Sequence, residues 1–349
     1  IRLAARTSRV FLGLRIDCLQ CHNDFLGNVN LGDEQEPREG MQQDFHELAA
    51  FFTSAKTNGL QGVRDGVVDY SYKYLNDEQE TDVQAGVPFL PELLPEKGKP
   101  RARLAAWVTH PENIQAARAA VSHVWALMFG RSMGETVDNL PLDEFSHPMM
   151  DTIARDFVAH GFNMRRLIRV IAASEAFRVD SRSEFEITPE HELNFAVFPL
   201  VRLRPEQVAG SIIQAARIKT TDRDSSFVLQ LQTMTGTNDF VTQYGDVGED
   251  EFNSDSITIT QRLLMMNGSL LRELVEANPI LNTSSHVGMF ARDSAHAVET
   301  VYLSAFNRYP TPAEKKHFVS RIDCSEDSGK AIEDLVWILL NSSELAWNH

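Results

Sequence analysis

Five consecutive residues, Cys18-Leu19-Gln20-Cys21-His22, carry the most specific chemistry in the chain. Two thiols three positions apart can each form a thioether with a haem vinyl group. The histidine that follows them is placed to ligate the iron from the proximal side. Cysteine is scarce, with three in 349 residues, so two of the three at this spacing beside a histidine is a specific signal. Three other uses compete. A local disulfide needs nothing further. A thioredoxin-like redox pair calls for a βαβ context that the surrounding residues do not supply. A four-ligand zinc site would have to recruit Cys324 or distant histidines and carboxylates. The expected cofactor is haem c, held by Cys18, Cys21 and His22. The alternative is a non-haem metal ion such as iron, zinc or calcium.

A six-coordinate electron-transfer haem also needs a distal ligand, usually Met or His. Met41 and His46 are the nearest in sequence, and His110, His123 and Met128 are more remote. Without one the iron is five-coordinate and open to small ligands. Ser146-His147-Pro148 offers His147 as a catalytic base, with Asp143 and Glu144 close by. The same three residues read more simply as a helix start, with Ser146 as cap and Pro148 in the first turn. Arg202, Arg204 and Glu206 suit either an anion or an inter-helix ion-pair network. The acidic stretch 236–256 lacks the spacing of a calcium loop. Trp107, Trp125, Trp337 and Trp347 read as packing residues. The chain has no phosphate loop, nucleotide fingerprint, zinc-protease helix or serine-nucleophile elbow.

Helical periodicity dominates the elements that must position these groups. An apolar run (Phe11, Leu12, Leu14, Ile16) leads into the Cys-His residues, a polar loop follows, and 44–55 forms a short amphipathic helix. Tyr70, Tyr72 and Tyr74 alternate as in a strand. Pro88, Pro91, Pro95 and Pro100 then mark an extended linker, where the domain boundary is placed. Beyond it the pattern predicts helices over 112–129, 148–160, 205–217, 258–276, 293–307 and 329–346, with Asn163 capping another. Thr311-Pro312-Ala313-Glu314 joins a capping box to a first-turn proline. Residues 219–256 read as a polar loop. The expected fold is mainly α, a multi-helix, two-part architecture with a few short strands and long loops: residues 1–100, then 101–349.

An apolar fraction of 43% supports a sizeable core, and no apolar run reaches the length of a membrane span. A net charge of −16 argues against nucleic acid and anionic membranes as partners. It suits a basic redox partner.

Several stretches together resemble a known family. Phe11-Leu12-Gly13-Leu14-Arg15-Ile16-Asp17-Cys18-Leu19-Gln20-Cys21-His22, followed by Leu48-Ala49-Ala50-Phe51-Phe52, is similar to the cytochrome-related domain abundant in planctomycetes. Leu104-Ala105-Ala106-Trp107, Val124-Trp125-Ala126-Leu127-Met128-Phe129-Gly130-Arg131, Arg202-Leu203-Arg204-Pro205 and Arg308-Tyr309-Pro310-Thr311-Pro312 resemble the helical domain that follows it there. The resemblance covers nearly the whole chain. It implies a secreted or periplasmic protein whose second domain has no defined activity, and an upstream portion before Ile1. The family commonly continues its Cys-His with Asp-His-Pro, whereas here the run is Asn23-Asp24-Phe25. Asp24 thus stands where relatives carry a histidine, and a carboxylate suits a hard metal ion better than a haem.

The expected function is an extracytoplasmic c-type-haem electron-transfer protein with a helical docking domain. Two alternatives stand beside it. One is a secreted metal-dependent enzyme acting on polymers. The other is a non-catalytic binding module in which Cys18–Cys21 is a structural disulfide.

Overall fold

The computed structural model describes residues 2–32, 38–57, 62–66, 69–134, 136–142, 148–218, 224–225, 227–244, 259–276, 278 and 282–348. Among them the architecture is mainly α, as the periodicity predicts, with three two-stranded antiparallel pairs as the only sheets. The chain forms two compact units. One comprises Ile1–Val179 with Leu193–Ala196, the other Asp180–Glu192 with Val197–His349.

The first unit is built around the apolar run that precedes the cysteines. Leu12, Leu14, Ile16 and Leu19 bury with Phe45 and Leu48 from helix Gln42–Ala50 and with Phe51 at its C-cap. A π-helical turn, Ser8–Leu12, delivers the chain into this core and ends at Gly13. Gly13 has a left-handed φ of 60°, and a Cβ there would lie 2.9 Å from a methyl of Leu140. Only glycine meets both constraints without strain.

Leu104 and Trp107, from helix Pro100–Val108, bury in this same core. The compact unit therefore runs on past residue 100. The Pro-rich stretch before it is strapped down through its carbonyls, since proline has no N–H to offer. Arg38 donates to Pro88 O at 2.6 Å, Trp107 Nε1–H to Leu90 O at 3.0 Å, and Arg103 to Pro95 O at 2.5 Å. Helices Ile114–Phe129 and Pro148–Ala159 complete the unit. They are tied by the buried Arg118, which meets both oxygens of Asp151 at 2.7 and 3.2 Å. Asn163 caps helix Met164–Ala173, its side chain accepting from Arg166 N–H.

The second unit packs helices Pro205–Ala216, Ser294–Phe306 and Ser328–Leu340 around Ile212, Val298, Tyr302, Leu335 and Leu339. The capping box predicted at Thr311 forms. Its hydroxyl accepts from Glu314 N–H, and the Glu314 carboxylate accepts from Thr311 N–H at 2.6 Å. One stretch departs from expectation. Within the predicted loop 219–256 lies a helix, Phe227–Tyr244, whose Phe240 buries in the core of this unit. Its Thr, Asn and Gly content is helix-averse, and burial of the apolar side outweighs that preference.

Candidate functional site

The Cys-His residues occupy a single tight turn. Asp17–Gln20 is a 3-10 helix, and both Cys21 N–H and His22 N–H point back to Cys18 O, at 3.1 and 3.3 Å. The spacer residues of the motif face the protein. Leu19 is fully buried in the core, and Gln20 directs its carbonyl inward to side-chain donors. Cys18, Cys21 and His22 are all exposed, and both thiols are free. Leu19 has a close lid in Gly40, where a Cβ would meet the Leu19 methyl at 2.7 Å.

His22 has a defined tautomer. Its Nδ1 lies 2.7 Å from the Asn23 carbonyl. A carbonyl can only accept, so Nδ1 carries a proton, and in the neutral ring the Nε2 lone pair is the one left to ligate. A ligating histidine is oriented in this way when its other ring nitrogen donates to the backbone. The ring stacks on Phe25, with centroids 6.2 Å apart. Phe25, Leu26 and Met41 are each exposed on segments that flank the turn.

Although Cys18 is exposed, partial desolvation of its thiol pushes the pKa above its ordinary value, and the negative charge of Asp24 adds to the shift. A thiol-exchange centre needs a lowered pKa to hold a reactive thiolate. Cys18 has the opposite bias, which weighs against a thioredoxin-like role.

Asp24 is buried and serves the loop. One carboxylate oxygen accepts from Leu26 N–H at 3.1 Å, the other from Val29 N–H at 2.6 Å. Its own N–H donates to Gly40 O at 2.9 Å. These contacts place the residue as an organiser of the 24–29 loop. Among the described residues no group of three or more His, Cys, Asp or Glu side chains converges as a metal site.

The two distal-ligand candidates differ sharply. His46 is fully buried with both ring nitrogens engaged, Nδ1 with the Tyr70 hydroxyl at 2.6 Å and Nε2 with Gln20 O at 3.1 Å. Burial lowers its pKa, with the Gln20 carbonyl opposing in part, so the ring is neutral at pH 7. Met41 sits just before helix Gln42–Ala50, is exposed, and neighbours the turn because Gln42 N–H donates to the Asn23 side chain at 2.9 Å. His110 and His123 make local contacts, with Glu112 N–H and Ala119 O respectively. His147 and its neighbours Asp143, Glu144 and Ser146 lie outside the described residues.

Sequence reasoning did not identify the residues beneath the turn. Tyr72 Oη–H donates to Gln20 O at 3.2 Å, Gln42 Nε2–H donates to it at 3.4 Å, and with His46 three donors converge on one backbone oxygen. The alternation of Tyr70, Tyr72 and Tyr74 was the available signal. Ser71–Tyr72 does pair with Thr81–Asp82 as a short hairpin.

Comparison with known proteins gives one match. Residues 100–322 fit the model of PSD1, a protein of unknown function (DUF1553), a domain associated with planctomycete cytochrome-c-related proteins. The Cys-His turn lies upstream of the matched residues. No curated protein and no solved structure matches the chain.

Proposed function

The chain belongs to the PSD1 (DUF1553) family, whose activity is undefined, and we propose from the geometry of its Cys18–His22 turn that it is an extracytoplasmic electron-transfer protein carrying a covalently attached haem c. The observation that carries this reading is the division of labour within the turn. Both spacer residues are anchored to the protein, while both free thiols and the His22 ring face outward. An internal staple or a core histidine would not need that arrangement. The residues fit the group in three further respects. The thiols are not paired with each other, His22 Nδ1 is held by the Asn23 carbonyl so that the neutral ring leaves Nε2 to ligate, and Phe25, Leu26 and Met41 are exposed apolar side chains that suit contact with a porphyrin face.

In this reading Cys18 and Cys21 would hold the haem through thioethers, each thiol adding across a vinyl group, and His22 would ligate the iron. The bound haem supplies one-electron chemistry at its iron. Of the two distal candidates, Met41 has a free and exposed thioether, whereas His46 has no nitrogen to give. The alternative of a non-haem metal has no converging ligand set among the described residues. The remainder of the chain acts as a helical docking scaffold, and its negative charge favours a basic redox partner.

The test is expression with export and with the cytochrome c maturation machinery, followed by a visible spectrum and intact mass. A Soret band and a mass gain of one haem, both lost in Cys18→Ala/Cys21→Ala, are expected. A colourless product whose two thiols remain fully alkylatable overturns the reading.

A further inference from the structure

We infer that His46, with Tyr72 and Tyr70 behind it, is a positioning residue that holds the Cys18–His22 turn in its outward-facing form through the Gln20 carbonyl. The inference deepens the haem-attachment reading and rests on it for its consequence, but not for its geometry. The Gln20–Cys21 peptide plane is the hinge between the two thiols. Its orientation sets the direction in which Cys21 and His22 leave the backbone relative to Cys18. Three donors fix that plane from below: His46 Nε2–H, Tyr72 Oη–H and Gln42 Nε2–H, at 3.1, 3.2 and 3.4 Å. A carbonyl oxygen has two lone pairs, so three donors leave it no freedom to swing toward solvent.

The direction of the network follows from its end point. Gln20 O only accepts, so His46 Nε2 carries the proton. Nδ1 must then accept, and the Tyr70 hydroxyl donates to it at 2.6 Å. The imidazole is locked from the sides as well. It stacks on Tyr72 at 3.5 Å between centroids and meets Phe45 and Tyr74 edge-on at 5.4 and 5.8 Å. A rotamer held on every side transmits its position to the atom it touches, which is how supporting residues align a reactive group. That atom belongs to the motif's own spacer. A histidine serving only the core would end its hydrogen bonds elsewhere. Both thiols must reach their vinyl groups in one register for double attachment, and a loosened Gln20 peptide would forfeit that register.

The experiment compares the wild type with His46→Leu, His46→Gln and Tyr72→Phe, each matured with export as above and also purified haem-free. His46→Gln keeps an N–H donor toward Gln20 O. Tyr72→Phe removes one hydroxyl alone and guards against a His46→Leu chain that fails to fold. In haem-loaded wild type, iodoacetamide is expected to find no thiol at residues 18 and 21. His46→Leu, and to a lesser extent Tyr72→Phe, should leave one thiol alkylatable and shift the pyridine haemochrome band to the red, the mark of a single thioether. His46→Gln should restore double attachment. In the haem-free chains, the ratio of Cys18 to Cys21 alkylation rates should change several-fold in His46→Leu and return in His46→Gln. Unchanged ratios and full double attachment in folded His46→Leu and Tyr72→Phe overturn the inference. If no chain takes up haem, the attachment reading fails, and the alkylation ratios alone still decide the positioning role.

Discussion

Two buried residues near the turn, Asp24 and His46, show how a side chain of catalytic type can be committed to geometry. Asp24 accepts two backbone N–H groups while nearly fully buried. Replacing it with alanine strands the buried Val29 N–H, while exposed Leu26 can turn its N–H to water, and a buried unmet donor costs about 1–3 kcal/mol. Asp24→Ala should therefore lower stability by about 1–3 kcal/mol in a urea titration, and an unchanged midpoint would refute the loop-organising role. His46 carries a pH signature. Burial lowers its folded-state pKa below the ordinary 6.5, so below that pH the unfolded chain binds a proton that the folded chain does not. Stability then rises with pH across this window and is lost on acidification below about 6.5. His46→Gln should flatten that part of the stability–pH curve, which thermal melts between pH 5 and 8 would read directly.

Among the elements, the start of helix Pro312–Asp323 shows what a short stretch of sequence can specify. Thr311 and Glu314 make the capping box, and the Glu314 carboxylate also takes two bonds from Arg308, at 3.0 and 3.1 Å. Arg308 reaches on to both oxygens of Glu344, at 2.6 and 2.8 Å, joining this helix start to helix Ser343–Ala346. The Arg308 hydrogen bonds, helped by the Thr311 amide, bring the Glu314 pKa from 4.5 down to about 2. Its contribution is present above 4.5 and is lost as pH falls toward about 2. Glu314→Gln should remove that acid-induced loss, and wild-type and variant melts that stay parallel from pH 5 to 2 would refute it. Gly13 gives a sharper element-level test. Gly13→Ala imposes a Cβ at a φ of 60° and 2.9 Å from Leu140. A loss of at least about 1–2 kcal/mol is expected from the backbone alone.

Across the whole molecule, charge and core dominate. A net charge of −16 leads the proposed electron exchange to favour a basic partner. The second-order rate should then fall as ionic strength rises, because salt shortens the reach of the field. A rate indifferent to salt would remove the electrostatic part of the proposal. The compact units also differ in extent from the family match, which begins at residue 100, inside the first unit. Trp107 explains the difference. It is read along the chain as part of the downstream helices, yet it buries in the same core as Leu12 and Phe45.

What the sequence determined alone was local. The helical class, the capping box at Thr311, the cap at Asn163 and, of the alternating tyrosines, the strand at Tyr72 follow from spacing and cap chemistry within a few residues, and so are legible in one dimension. The Cys18–His22 motif was equally legible as a motif. Tertiary structure decided which way its residues face, that Asp24 ties a loop, and that His46 holds the turn from beneath. It also made a helix of Phe227–Tyr244, where local preference argued for a loop. The reason is common to all of these. Burial and hydrogen-bond partners come from segments distant in sequence, so a histidine available to a ligand and one spent on Tyr70 and Gln20 O look the same until the chain has folded.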